Sequence, residues 1–259
     1  MTRNTFGPVN ETVFSRPEWT PDGALVLRAQ SGLERAMLTR QAANDRGAPA
    51  VLHRDAKNSI WEGVVSPDGA YLLYRVGTGS GSDIRYRRMT GDTASRPFAA
   101  TPANEREARF SSNGQWVAYS SNEAGAGFEV YVRAFPDGPT SYRISEAGGA
   151  QPVWTRDGQS LYYVASEGVL VRASLDIARG ASGGVPNVGA RTVSVPRVTA
   201  RDTVIRAGFE LPMERGHAAY DVMPDGRLVL MRPNQKGQRL VVVYGWLAAL
   251  RAEWAKTAR

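Results

Sequence analysis

Short runs of alternating apolar and polar residues, separated by tight turns, follow one another along almost the whole chain. Residues 106–133 show the pattern most completely, with a short strand, a turn at 111–114, an aromatic-rich strand at 115–121 and a third strand at 128–133. Such alternation is typical of half-buried β-strands, and Asn-Gly between two apolar runs is a strong hairpin signal. The pattern therefore predicts an all-β protein built from hairpins.

The same turn occurs five times, each time as Asp-Gly or Asn-Gly at the end of a strand. The turn residues are Asp22 and Gly23, Asp68 and Gly69, Asn113 and Gly114, Asp157 and Gly158, and Asp225 and Gly226. We interpret them as structural, because Asp and Asn bond back to their own turn and glycine adopts positive φ. Successive turns are 46, 45, 44 and 68 residues apart, and the last step is one period plus an insertion. A period of about 40–50 residues is typical of β-propeller blades.

We therefore expect one β-propeller domain over residues 1–259, made of four-stranded antiparallel blades. The predicted blades and a short C-terminal helix cover residues 13–55, 59–104, 106–145, 150–195, 217–246 and, for the helix, 246–258. In blade four the outer strand is predicted near residues 192–195, followed by an irregular stretch at 196–216. Blade five shows three strands, so residues 1–12 are candidates for its fourth strand, which would close the ring.

Composition excludes several kinds of site. The chain has no cysteine, which excludes disulfides, thiol nucleophiles and cysteine-based zinc sites. No apolar run approaches the length of about 18 residues that spans a bilayer, and no signal stretch opens the chain, so we expect no membrane insertion within it. The net charge is +7, and all but three of the 32 basic residues are arginines.

The basic excess does not by itself predict a nucleic-acid surface. The nearest candidate is the group of Arg85, Arg87 and Arg88 around Tyr86. Alternation along a strand would place Arg85 and Arg87 on one face, with Tyr86 and Arg88 on the other. We interpret this stretch as a solvated blade edge and expect no nucleic-acid partner.

Motifs of common catalytic and metal sites are missing from the sequence. There is no Gly-x-Ser-x-Gly elbow, no Walker loop and no calcium loop. The two histidines, His53 and His217, fall in blades one and five, and neither has a second ligand at metal-binding spacing. We expect loop or surface histidines, with no catalytic residue, metal or cofactor.

Aligning the five turns reveals a polar ring. The residues six positions before the Asp or Asn of each turn are polar in four blades and are, in order, Arg16, Glu62, Glu107, Gln151 and Ala219. They begin the inner strands, which line the channel of a propeller. The four polar residues predict a channel mouth able to bind a cation, water or a peptide end. A hydrated channel without a dedicated ligand is the alternative.

Three positions before the turn, the aligned residues are apolar in every blade. This set, predicted to pack between blades, is Trp19, Val65, Phe110, Trp154 and Val222. A second aromatic set is predicted to lie mostly in the blade core and comprises Trp61, Tyr74, Trp116, Tyr119, Tyr162 and Tyr163. Aromatic side chains bury large areas between packed sheets, so both sets favour a stack of blades.

Several stretches resemble the repeats of TolB-like β-propellers, which are relatives of WD repeats. The motifs are RFSSNGQWVAYSSNE at 109–123, EVYVRAFP at 129–136, GGAQPVWTRDG at 148–158, AYDVMPDGR at 219–227 and VVVYGWLAAL at 241–250. The set resembles the C-terminal propeller of bacterial multidomain proteins, many of which carry a serine/threonine kinase or a DNA-binding regulatory domain. This resemblance implies a sensory or protein-interaction module, often extracytoplasmic. TolB-like propellers usually have six blades, so a six-bladed or incomplete ring is an alternative to five.

Three functions are open at this point. The first, which we favour, is a non-catalytic module that binds a protein or peptide partner across the channel face. The second is a metal-dependent lactonase or hydrolase that uses the channel carboxylates Glu62 and Glu107. The third is a purely structural propeller fragment. The sequence names neither the partner nor the compartment.

Overall fold

The computed structural model describes residues 12–43, 48–77, 81–125, 127–166, 168–177, 195–206, 209, 211, 217–232 and 239–242. These residues form antiparallel β-sheets and contain no helix, hence none that could cross a membrane. The helix predicted at 246–258 lies outside the described residues. So does the segment 1–11 that was a candidate strand of blade five, whereas Thr12 begins the first strand of blade one.

The described strands form five sheets, each a simple meander in chain order. Blade one contains β1 (Thr12–Trp19), β2 (Ala24–Ser31), β3 (Met37–Ala42) and β4 (Ala50–His53). Blade two contains β5 (Ile60–Val65), β6 (Tyr71–Gly77), β7 (Ser82–Arg88) and β8 (Arg96–Ala99). Blade three contains β9 (Glu105–Phe110), β10 (Trp116–Ser121), β11 (Glu129–Ala134) and β12 (Ser141–Arg143). Blade four contains β13 (Ala150–Trp154), β14 (Ser160–Ser166), β15 (Val169–Asp176) and β16 (Arg197–Ile205), and blade five contains β17 (Tyr220–Val222), β18 (Leu228–Arg232) and β19 (Arg239–Val242).

The first hairpin of every blade closes through the repeated Asp-Gly or Asn-Gly turn. In blade four, the N–H of Gly158 donates to the carbonyl of Thr155 at 2.9 Å, and Gly158 has a φ of 69°. The Asp157 carboxylate accepts hydrogen bonds from the Thr155 hydroxyl at 2.6 Å and from the N–H of Gln159 at 2.9 Å. Glycine is needed here because a side chain disfavours this left-handed backbone.

Consecutive blades stack through their inner strands. The strand β5 packs against β1 to β3, β9 against β5 to β7, and β13 against β9 to β11, while β17 contacts β13. Four apolar clusters fill the spaces between successive blades. The fold is therefore a β-propeller whose cores lie between blades, and each inner strand faces the channel.

The outer strand of blade four corrects the sequence-based expectation. The strand that pairs with β15 is Arg197–Ile205, not residues 192–195, and it lies in the stretch that was expected to be irregular. It is mostly exposed, with only Val204 and Ile205 buried near its end. An outer strand with one sheet partner needs little apolar alternation, so its sequence gives a weak strand signal.

The aromatic residues behave as predicted with two exceptions. Five of the six expected core aromatics are buried, but Trp61 is 38% exposed. Among the residues three positions before the turn, Trp154 is 8% exposed and donates from its indole nitrogen to the carbonyl of Arg109 in blade three at 3.1 Å. Trp19 is 67% exposed, so its predicted place between blades was wrong. In blades three and four the equivalent residues, Phe110 and Trp154, pack backward onto the preceding blade.

Candidate binding site at the channel mouth

The four polar residues of the predicted ring lie on the inner strands, Arg16 in the middle of β1 and Glu62, Glu107 and Gln151 near the starts of β5, β9 and β13. In each blade the strand pairing shifts register at this point. Arg16, Glu107 and Gln151 have φ values of 52°, 62° and 59°. This left-handed conformation is uncommon for such side chains, and a bulge of this kind turns a side chain in a new direction. We refer to Arg16, Glu62, Glu107 and Gln151 as the mouth residues.

Three of the four mouth residues bond through their side chains to the backbone of the next blade. Glu62 Oε1 accepts from the N–H of Glu107 at 2.5 Å, and Glu107 Oε2 accepts from the N–H of Gln151 at 2.7 Å. Gln151 Oε1 in turn accepts from the N–H of Ala219 at 3.3 Å. The same bond thus ties blade two to three, three to four and four to five. This bond accounts for the bulges, because each bulge turns a side-chain acceptor toward the next blade and, at Glu107 and Gln151, also presents the backbone donor.

These acceptors are deeply buried. Glu62 is 7% exposed and Glu107 1%, while Gln151 is fully buried. Burial raises the pKa of Glu107, although the neighbouring Arg106, whose Nε lies 3.5 Å from Oε1, opposes the rise. The Ser120 hydroxyl also donates to Glu107 Oε2 at 2.8 Å.

A second charged pair, which the aligned positions of the sequence did not reveal, crosses the channel. Arg109 of blade three donates from Nη2 to Glu18 Oε1 of blade one, and from Nη1 to the carbonyl of Ala108 at 3.0 Å. Burial raises the pKa of Glu18, partly offset by Arg109. Burial alone would lower the pKa of Arg109, but Glu18 and further carboxylates, including Asp221, raise it. Reading the turn alignment four positions before the turn would have found Glu18, Arg109 and Asp221.

Two arginines contact Trp61 at the same end of the channel. The guanidinium carbons of Arg28 on β2 and Arg75 on β6 lie 5.3 Å and 5.8 Å from the centroid of the Trp61 ring. Burial lowers the pKa of Arg75, and Arg16 and Arg106 add to this fall, whereas the carboxylates of Glu62 and Glu107 oppose it. We call Arg16, Arg28, Arg75 and Arg106 the mouth arginines. The alignment of inner strands could not reveal Arg28 and Arg75, because both lie on second strands.

The remaining candidate residues do not converge on this site. The His53 ring packs edge-on against Tyr74 at 4.4 Å, and its Nδ1 lies 3.4 Å from Arg87 Nη1. Burial lowers the pKa of His53, and Arg87 adds to that effect. Arg85 donates from Nε to the Ser95 hydroxyl at 2.8 Å within its own blade. Among the described residues, no group of three or more His, Asp and Glu is arranged to hold a metal.

Comparison with known proteins gives matches in structure alone. No protein-family model and no curated protein matches the chain. TolB from Acinetobacter baumannii matches with a TM-score of 0.62 at 15% identity, over 87% of this chain and 50% of that protein. A TolB from Agrobacterium tumefaciens matches with a TM-score of 0.62 at 18% identity, over 87% of this chain and 72% of that protein.

A prolyl endopeptidase also matches, with a TM-score of 0.48 at 12% identity, over 91% of this chain and 37% of that one. This chain spans half the length of the Acinetobacter baumannii TolB structure. At these identities the likeness concerns the fold. Together with the repeated four-stranded sheets, it shows that the chain has a β-propeller fold similar to that of TolB.

Proposed function

We propose that this propeller is a non-catalytic module that binds a peptide segment of a partner protein at the channel mouth. The observation that carries the proposal is the exposed side of Trp61, set among arginines from two neighbouring blades. Tryptophan and arginine are enriched among the residues that contribute most to protein–protein binding. The resemblance to TolB-like repeats, which implies a protein-interaction module, supports the same function.

The rigidity of the mouth adds support. The inter-blade bonds of Glu62, Glu107 and Gln151 hold the inner strands at the place where Trp61 leaves β5. Trp61 is the extra residue of its bulge, because Ile60 pairs with Val76 and Glu62 pairs with Arg75. A site held in one geometry before binding loses less conformational entropy when its ligand arrives.

The use made of the mouth carboxylates favours binding over metal-dependent catalysis. A metal cation is repelled where cationic side chains already lie beside the carboxylates. Glu62 Oε1 and Glu107 Oε2 accept backbone N–H groups, while Arg16 lies 3.6 Å from Glu62 Oε2 and Arg106 lies 3.5 Å from Glu107 Oε1. We therefore assign both carboxylates to holding the blades together.

A peptide library displayed on phage and selected against the immobilised chain tests the proposal. The affinity of enriched peptides is then measured for the wild type, for Trp61→Ala and for the matched control Trp19→Ala. Trp19 is also exposed but lies at the opposite end of its inner strand. We expect Trp61→Ala to weaken binding by roughly 30-fold, as for a central aromatic contact, and Trp19→Ala to leave it unchanged.

Two outcomes would overturn the proposal. One is that no peptide is enriched, or that enriched peptides bind Trp61→Ala as well as the wild type. The other is hydrolysis of lactones or esters that a chelator abolishes and that Glu62→Gln abolishes without unfolding the protein. The latter result would establish the metal-dependent enzyme instead.

A further inference from the structure

We propose that the segment bound at the channel mouth is acidic, and that Arg28 and Arg75 pair with its carboxylates beside the Trp61 indole. This inference rests on the proposed function and names the chemistry of the partner. It concerns a surface formed by two blades together, because Arg28 belongs to blade one and Arg75 to blade two.

The geometry of the two arginines suits carboxylate recognition. Both guanidinium groups contact the same indole ring, which restrains their side chains through cation–π attraction. A restrained, planar guanidinium presents paired N–H donors that match the two oxygens of a carboxylate. Lysine would not offer this match, and neither position carries one.

Carboxylates form salt bridges with the other two mouth arginines rather than with Arg28 and Arg75, although Glu62 and Glu107 partly offset the charge of Arg75. Arg16 lies 3.6 Å from Glu62, and the Nε of Arg106 lies 3.5 Å from Glu107. Within the described part of the chain, neither Arg28 nor Arg75 forms a salt bridge. The mouth therefore holds more positive than negative charge.

Hydrogen bonding leaves the same two groups short of acceptors. The Nε atoms of Arg28 and Arg75 are buried and have no hydrogen-bond partner, although Arg28 Nη2 donates to Gln30 Oε1. Burial lowers the pKa of Arg28, and repulsion from Arg16 lowers it further. A carboxylate placed against the accessible ends of these guanidinium groups would offset both the repulsion and the loss of hydration.

An acidic peptide fits this surface better than a nucleic-acid strand. The carboxylates of Glu62 and Glu107 lie among the mouth arginines, so a continuous chain of phosphates would meet negative as well as positive groups there. A peptide can place separate carboxylates on Arg28 and Arg75 while its uncharged backbone passes the glutamates. The net charge of +7 would also speed the approach of an acidic partner.

The test uses fluorescence anisotropy with a short labelled peptide in which Glu alternates with Gly or Ala. The same peptide with Gln in place of Glu is the neutral control. We expect the acidic peptide to bind, more weakly at high salt, and each of Arg28→Gln and Arg75→Gln to weaken binding about tenfold. Arg143→Gln, which removes an exposed arginine from the outer strand β12, should change the affinity less than about twofold.

A second variant covers the case in which loss of an arginine disturbs the fold. Gln30→Glu keeps Arg28 but gives it a carboxylate from its own blade, at the position whose oxygen it already contacts. This variant should also weaken binding of the acidic peptide about tenfold, since it competes for the same guanidinium. Thermal unfolding of all variants shows whether each one is folded.

The outcomes separate this inference from the proposed function. If library-selected peptides depend on Trp61 but are neutral and indifferent to Arg28→Gln, the binding function stands and the acidic partner is ruled out. Equal binding of the Glu and Gln peptides also overturns the inference. So does a single-stranded oligonucleotide that binds more tightly than the acidic peptide and is lost in Arg28→Gln.

Discussion

Replacing Glu107 by alanine should weaken the interaction between blade three and blade four. The Glu107 side chain accepts the N–H of Gln151 at 2.7 Å and the Ser120 hydroxyl at 2.8 Å, from a position only 1% exposed to solvent. Alanine removes both bonds and leaves the buried N–H of Gln151 without this acceptor. We therefore expect the free energy of unfolding to fall in Glu107→Ala.

The size of the loss follows from these two bonds. Each hydrogen bond to a charged acceptor contributes about 1.5–3 kcal/mol to stability. The raised pKa of Glu107 shows that burial of the charge already offsets part of this gain. The expected net loss is about 3 kcal/mol, which corresponds to a fall in melting temperature of about 6–12 °C for a chain of this size.

Urea unfolding at neutral pH, followed by tryptophan fluorescence and circular dichroism, measures the loss. Glu107→Gln keeps an acceptor oxygen, and Gln151 shows that glutamine can make the same bond in blade four. It should therefore lose less than half as much stability as the alanine variant. Glu34→Ala, at an exposed glutamate, is the control and should stay within about 0.5 kcal/mol of the wild type.

A glycine variant distinguishes the effect of backbone strain at position 107 from the effect of losing the side chain. Because Glu107 has a φ of 62°, Glu107→Gly should relieve backbone strain and be about 1 kcal/mol more stable than Glu107→Ala. The reasoning is refuted if Glu107→Ala loses no more than Glu34→Ala. It is also refuted if the glutamine and alanine variants lose the same amount, because the acceptor oxygen would then not matter.

Three further perturbations address the mouth, a turn and the channel. Gly77→Ala would place a Cβ 2.6 Å from Trp61 Nε1, so it should displace the indole, alter the fluorescence and weaken peptide binding. The hydrogen bond from the Thr155 hydroxyl lowers the pKa of Asp157. The ionised carboxylate therefore stabilises the fold above the unfolded pKa near 3.8, and this stabilisation is lost as the pH falls through the folded pKa. Melting curves of Asp157→Asn and wild type should therefore converge in acid; a constant gap would contradict this. Glu18→Gln leaves the partly buried Arg109 without its ion-pair partner and should cost about 1.5–3 kcal/mol in urea unfolding, and a loss below about 0.5 kcal/mol would contradict that role.

The blade architecture of this protein follows from signals that are local in the sequence. The turn at Asp157 and Gly158 forms from contacts within a few residues, and the same local chemistry recurs at every period. Alternation of apolar residues likewise depends on each strand's own neighbours. Such signals survive without knowledge of the rest of the chain, which is why the repeat and the strand order could be predicted.

The hydrogen-bond partners of the mouth residues depend on the tertiary structure. The alignment located Glu62 and Glu107, but the donor that Glu62 binds is 45 residues away, and the donor for Glu107 is 44 residues away. Both bonds depend on bulges whose positions follow from strand register. The sequence analysis could therefore predict polar residues at the mouth, but not that they tie one blade to the next.

Which residues are buried and which charges pair also depends on contacts between blades. Trp19 and Trp154 occupy the same position of the repeat, yet one is exposed and the other is buried against the preceding blade. The pair of Glu18 and Arg109 joins blades that are not consecutive. A periodic sequence specifies which side chains stand at each position of a blade. The neighbours of those side chains depend on how the blades stack, since contacts between blades join residues far apart in the chain.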